Sequence, residues 1–193
     1  MVDPDILATI ADLPVDLLTK TVIKEEGQRG LNQANIILAL TPLLWPALQV
    51  GKITNALRVA HFLGQCAEES WQFSQLLEAG TGEEYEGRAN LGNTRPGDGP
   101  LFKGRGIIQL TGRANYTLFS GYLDLPLDTQ PDLAAQPAVA LRVAVMYWTH
   151  HGLNVSADND DLEQITRAIN GGTNGLTERG QGVARALAAM GWS

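Results

Sequence analysis

The sequence predicts a mainly helical domain interrupted by one long glycine-rich excursion, and three observations carry that expectation. Apolar residues recur at spacings of three and four through most of the chain, which marks helices with one buried face. That pattern fades between Gly80 and Gly106, where glycine and proline crowd the chain. It resumes from Arg113 onward, and the chain length of 193 residues suits one compact domain.

Residues 1–30 read as a helical N-terminal extension packed on the rest. "PDILATIADL" and "PVDLLTKTVIKEEG" are each amphipathic, and Gly27 and Gly30 close the second. A helix through "NQANIILAL" follows and is expected to break at Pro42 and Pro46, which lack the donor a helix interior needs. Next comes "TNALRVAHFLGQCAEESWQF", with Thr54 as its N-cap candidate and Ala56, Val59, Ala60, Leu63 and Ala67 as its buried stripe. The excursion ends in "GRGIIQLT" (104–111), which reads as a short strand or small hairpin. "RANYTLFSGYL", "QPAVALRVAVMYWTHHG", "DLEQITRAIN" and "TERGQGVARALAAM" are helical, with Pro137 at a tolerated first position and Tyr147 and Trp148 as core residues.

Composition excludes several functions. A net charge of −7 argues against non-specific nucleic-acid binding, which needs Lys and Arg to neutralise phosphates. The single Cys66 rules out an internal disulfide framework. With three histidines, two of them adjacent at His150 and His151, no metal site and no cofactor are expected. The N-terminus lacks a basic-then-apolar signal. The apolar stretch Ile36–Val50 falls short of the roughly 20 residues that span a bilayer. The expectation is a cytoplasmic product with no signal peptide and no stable membrane insertion.

Three constellations carry chemical content. The first is a set of carboxylates before and inside the excursion, among them Glu68, Glu69 and Glu78. Glycoside hydrolysis uses two carboxyl groups, one acid and one base or nucleophile. Glu69 ends an apolar helix, where partial burial favours the protonated form. On one continuous helix Glu78 would face the opposite way, since nine residues rotate roughly 900°. The chain must therefore turn back, and Gly80 and Gly82 offer a place to do so. The plain alternative is a solvated acidic helix end. The second constellation is Gln109, Thr111, Asn115 and Tyr116, neutral hydrogen-bonding groups beside an aromatic face, suited to sugar hydroxyls and N-acetyl groups. They read equally as a capped junction between strand and helix. The third is "ITRAINGGTNG", a helix end at Asn170 with a Gly171 cap and a polar continuation to Arg179.

Taken together, "AHFLGQCAEES", "YEGRANLGNTRPGDGPLFKGRGIIQLTGRANY", "YWTHHGLNVSAD" and "ITRAINGGTNGLTER" resemble glycoside hydrolase family 19, the chitinase-type enzymes, and in particular its phage endolysin branch. The resemblance covers most of residues 31–193. It implies a catalytic domain there with a lysozyme-like, two-lobed helical fold and a central cleft. It places the general acid on Glu69 and the general base on Glu78, with Thr111 holding the attacking water. Gln109, Asn115, Asn170 and Arg179 then line sugar subsites or support the second acid, and Tyr85 and Tyr116 join them as substrate-binding candidates. An inverting pair would stand roughly 6.5–9.5 Å apart.

One departure is Glu68, which stands where the family usually has His. Helix neighbours lie about 100° apart, so Glu68 is expected to point away from Glu69. The resemblance implies hydrolysis of β-1,4 bonds in peptidoglycan by a monomer that reaches the wall through a separate pore-forming protein. The rivals are a chitinase, an antibacterial effector with the same chemistry, and a non-catalytic sugar-binding module. Arg88, Arg95, Lys103, Arg105 and Arg113 would give the acidic chain a basic cleft rim.

Overall fold

The computed structural model describes residues 4–192; residues 1–3 and Ser193, and with them the start of the N-terminal extension, lie outside the described residues. The described residues form nine α-helices: α1 (Leu17–Thr21), α2 (Gly27–Val50), α3 (Ala56–Glu69), α4 (Asp98–Leu101), α5 (Arg113–Leu123), α6 (Pro137–His150), α7 (Leu153–Asp158), α8 (Leu162–Asn170) and α9 (Leu176–Ala189). Among the described residues, β pairing is confined to the isolated bridges Thr9–Asn55, Leu77–Arg105 and Arg105–Leu110. Mostly helical architecture is therefore what the apolar periodicity produces.

Two apolar cores make the two lobes. The larger gathers α1, α2, α3, α7, α8 and α9 around Leu40, Leu48, Ile53, Phe62, Leu63 and Trp148. The smaller gathers Phe102, Leu110, Tyr116, Phe119, Leu127 and Ala134 around α5. Helix α6 serves both, because its apolar residues occupy more than one side of the helix. Its Ala144, Val145 and Trp148 face the larger core, and its Val143 faces the smaller.

Helix α3 is the axis of the larger lobe, with every residue from Ala56 to Ala67 buried except Arg58. Its N-cap is Asn55, not Thr54: the Asn55 side chain accepts from the Arg58 amide at 2.8 Å. An amide side chain reaches that first-turn donor as well as a hydroxyl does. Its most extensive partner is α9. The two approach where glycine faces glycine: a Cβ on Gly182 would sit 3.0 Å from the Gly64 Cα, and one on Gly64 would sit 2.9 Å from the Arg179 carbonyl. That approach lets Arg179 reach the end of α3.

Helix α2 runs through Pro42 and Pro46 without interruption, against the expected break. Both prolines are exposed and four residues apart, so they lie on one solvent face. The carbonyls they leave unpaired, four residues earlier, face water, where a missing donor costs least. By length and composition α2 is the one helix among the described residues able to cross a membrane, a longer apolar helix than the Ile36–Val50 run suggests. Its buried stripe, Gln33, Ile37, Leu40, Leu44 and Leu48, packs toward α6. Residue 30 lies in the first turn of this helix, while Leu17, Leu18 and Val22 sit in the larger core.

The glycine-rich excursion is held by side chains bonded to backbone. Glu86 accepts from the amides of Gly97 and Gly99, each at 2.7 Å. Asp98 accepts from the amides of Thr94 and Arg95 and pairs with Arg113. Asn93 donates to the Tyr85 carbonyl and accepts from the Arg113 amide. The segment "GRGIIQLT" is the small hairpin of the two expected forms, not an extended strand: Arg105 and Leu110 exchange backbone hydrogen bonds of 3.2 and 2.8 Å across an antiparallel bridge. Gly106 at φ +81° and Gln109 at φ +51° curl it, and Ile107 drops into the larger core.

Candidate active site

The acid of interest sits on α3 with a fixed partner set. Gln65 and Glu69 are four residues apart and share one face of the helix. Arg179 bridges them, donating Nη1 to Gln65 Oε1 and Nη2 to Glu69 Oε1, both at 2.6 Å, and Nε to the Asn174 carbonyl at 3.1 Å. Gln65 donates its Nε2 to Thr166 Oγ1 at 3.0 Å. Arg179 is buried, so this charge-assisted pair is shielded from water. Arg179 is thus a group that positions Glu69. Gln65 and Thr166 were not singled out from the sequence, although the Gln-x-x-x-Glu spacing was the signal.

Immediately after Glu69 the chain reverses. Ser70 donates to the Cys66 carbonyl and accepts from the Phe73 amide. Trp71, Gln72 and Phe73 all take left-handed φ, at +51°, +60° and +59°. The turn that brings the second acid back therefore precedes Glu78; it is not made by Gly80 and Gly82 after it. Glu78 then lies on the far side of the reversal, its amide donating to the Gly104 carbonyl at 3.0 Å. Tyr85 donates to Glu78 Oε1 at 2.7 Å and the Gly104 amide donates to Oε2 at 2.8 Å. Burial, reinforced by this bond to Glu78, pushes the Tyr85 hydroxyl up to about 12, so it remains a donor.

A cleft of about 450 Å³ lies beside Glu69, a size within the usual range for ligand sites. Glu68, Glu69, Gln109, Asn170 and Arg179 line it, joined by Glu25, Arg29, Trp71, Gln72, Asn174 and Gly175. Gln109 links the two acids: it lines this cleft, and its Oε1 stands 2.8 Å from where a Gly104 Cβ would be, beside Glu78 Oε2 at 2.9 Å. A side chain at 104 would push on the ends of both Gln109 and Glu78.

Thr111, Asn115 and Tyr116 are not among the residues lining this cleft, and Thr111 is tied to it through Gln109. Thr111 donates its hydroxyl to the Gln109 carbonyl, and Asn115 donates to the Thr111 carbonyl from an exposed position on α5. Tyr116 is fully buried, its hydroxyl bonded to Lys103 O and Arg105, so it offers no ring face to a sugar and is a core residue. Glu68 does not point away: it lines the same cleft, against Gly175. Burial pushes its carboxyl above the usual range, opposed by Arg179 and reinforced by Glu178 and Glu69. The expected basic rim is mostly spent: Arg105 and Arg113 pair with Asp132 and Asp98, and Lys103 donates to the Gly80 carbonyl.

A two-lobed helical fold with a polar cleft and two separately seated glutamates is the architecture of a glycan-cleaving enzyme. A Haemophilus influenzae protein described as a glycosyl hydrolase family 19 domain-containing protein is 31% identical over 156 residues, a match covering 65% of this chain and 76% of that protein. An Arabidopsis thaliana endochitinase is 36% identical over 116 residues, covering 59% of this chain but only 39% of the plant protein. No family model matches the chain. Chitinase C from Streptomyces griseus superposes with a TM-score of 0.66 at 19% identity, over 100% of this chain and 79% of that one. A bacterial family 19 chitinase does so at 0.67 and 19%, over 94% and 96%. At that identity the two structures speak for the fold. The chain belongs to glycoside hydrolase family 19.

Proposed function

We propose that the protein hydrolyses β-1,4 bonds next to N-acetylated sugars in bacterial peptidoglycan by a single, inverting displacement, and that it serves as a phage endolysin. The observation that carries the reading is the separate seating of two glutamates on either side of Gln109: Glu69 in the cleft wall against Arg179, and Glu78 between Tyr85 and Gly104. Arg179 occupies Glu69 Oε1 and leaves Oε2 to hand a proton to the leaving oxygen. Glu78 takes a proton from water on the opposite face of the sugar. Thr111, whose own hydrogen goes to Gln109, accepts the other hydrogen of that water. Asn170 and Gln109 offer amide groups to sugar hydroxyls. No metal or cofactor has a part in this chemistry. A lytic role would place the protein in the cytoplasm of the producing cell, as a monomer, with a separate pore giving access to the wall.

Chitin is the second reading, favoured by the endochitinases and chitinases among the similar proteins. Digesting purified peptidoglycan and chitin hexamer separately, with the new reducing end identified by mass spectrometry, decides between them. Glu69→Gln and Glu78→Gln should each lower turnover at least about a thousandfold while far-UV circular dichroism is unchanged. Full activity in either variant would remove that residue from the mechanism. Binding of wall fragments with no reducing-end release would leave a sugar-binding module.

A further inference from the structure

Trp71 follows the acid helix directly and is 60% exposed at the cleft. Its backbone is left-handed, as are those of the next two residues. Such a conformation is strained for a non-glycine residue, and glycine would adopt it freely. An exposed indole contributes little burial in return. A tryptophan kept where glycine is the more stable choice is there for what its ring touches, and indole faces suit the apolar faces of pyranose rings.

Arg29 supplies a second observation. Its guanidinium stands 5.2 Å from the Trp71 ring centroid, and both side chains line the cleft. The cleft's other arginine, Arg179, is buried and committed to Glu69, Gln65 and the Asn174 carbonyl. Arg29 is half exposed, and its one ionic partner among the described residues is Glu25 at a long 3.3 Å. Such a surface pair contributes little, so an incoming carboxylate can take the partner's place. Three acids, Glu25, Glu68 and Glu69, share this cleft and would repel an anion that met no free cation. A neutral N-acetylglucosamine polymer offers no charge to pair with a cation here, whereas an acid-bearing glycan does.

We propose that Trp71 and Arg29 form a sugar subsite beside Glu69 in which the indole carries a pyranose ring and the guanidinium pairs with a carboxylate borne by that sugar. The carboxylate belongs to the lactyl ether of a muramic residue or to the peptide attached to it. The subsite rests on the peptidoglycan reading above and adds the feature that separates such strands from chitin.

The test uses the full chain and three glycans of matched length: chitin oligomer, peptide-bearing peptidoglycan strand, and the same strand trimmed by an amidase to free lactyl carboxylates. Arg29→Gln should lower the ratio of kcat/KM on acid-bearing over neutral glycan about tenfold, chiefly through KM, and Arg29→Lys should restore most of it. The wild-type preference should shrink as salt is raised. An effect on the trimmed strand assigns the lactyl group, and one confined to the peptide-bearing strand assigns the peptide. Trp71→Gly should weaken binding of all three glycans without lowering Tm, and Trp71→Phe should keep most of it. An Arg29→Gln effect equal on all three glycans, or absent, overturns the subsite, as does wild-type KM in Trp71→Gly. Equilibrium binding, read from indole fluorescence, separates this from the functional reading. Arg29-dependent binding of acid-bearing strands with cleavage of chitin alone would sink peptidoglycan hydrolysis and keep the subsite. Peptidoglycan cleavage with no Arg29 dependence would do the reverse.

Discussion

At the scale of single residues, the acid pair Glu68–Glu69 shows what helical spacing tells and what it withholds. Spacing of four made Gln65 and Glu69 neighbours, and Arg179 joins them. It gave no warning that Glu68 would share the cleft, because that depends on Gly175, the N-cap of α9, lying just opposite. Burial holds the Glu68 carboxyl above its ordinary 4.5, so the folded protein binds its proton more tightly than the unfolded chain does. The sign follows: ionised Glu68 destabilises the fold above its folded pKa, and protonation relieves this as pH falls. Glu68→Gln should therefore raise Tm at pH 7, and the gain should fade as pH falls through the raised folded value and be gone below 4.5. Thermal melts of both proteins across pH 3–8 check this, and an equal Tm at pH 7 would show that the cleft already solvates the charge. Tyr116 marks the opposite failure of sequence reasoning. A tyrosine beside polar residues looked like a sugar platform, yet its ring completes the smaller core against Phe102.

Among the elements, α3, α5, α6, α8 and α9 were legible because an apolar stripe at helical period needs only local information. Helix α2 was legible in its first half alone. The harm of Pro42 and Pro46 depends on which face they take, and a tertiary contact decides that. Residues 104–111 were legible in part: Ile107 and Ile108 favour a strand, but of the two expected forms the hairpin holds, because the backbone reverses around them to seat Glu78. The contact that places Glu69 lies between elements and is invisible to periodicity, since Gly64 and Gly182 sit 118 positions apart in one chain. Gly64→Ala tests it. The added methyl would stand 2.9 Å from both the Arg179 carbonyl and the Val183 side chain, inside two packed helices. Such overpacking costs about 1–3 kcal/mol. At about 2–4 °C per kcal/mol for a chain of this size, Tm should fall by several degrees. Turnover well below the melt should fall as well, because the strain moves the backbone carrying Arg179. A lower Tm with unchanged kcat would mean that Arg179 keeps Glu69 in place independently of the helix crossing.

For the whole molecule, each lobe carries a buried ionisable group that opposes acid. In the larger lobe His61 is fully buried on α3, with Nε2 bonded to Asp160 at 2.7 Å and Nδ1 without a partner. Burial lowers its pKa below 6.5, outweighing the pull of Asp160 and Asp161. In the smaller lobe's loop, the hydrogen bond from Arg113 holds Asp98 at about 2, against an ordinary 3.8. Both groups bind fewer protons folded than unfolded, so both make stability rise with pH. The His61 contribution is fully present above 6.5 and is lost as pH falls through its lowered folded value. That of Asp98 is present above 3.8 and is lost as pH falls through about 2. Because α6 ties the two cores together, the lobes should melt as one unit and report both losses in a single Tm. Tm should therefore decline in two stages on acidification. His61→Gln keeps a donor toward Asp160 without a titrating ring, and should flatten the upper stage alone. Asp98→Asn should lower Tm at neutral pH, by leaving Arg113 without its carboxylate, and should flatten the lower stage. Melts at half-unit steps from pH 2 to 8 check both variants. An upper stage that survives in His61→Gln would assign the neutral-range loss to groups other than this histidine.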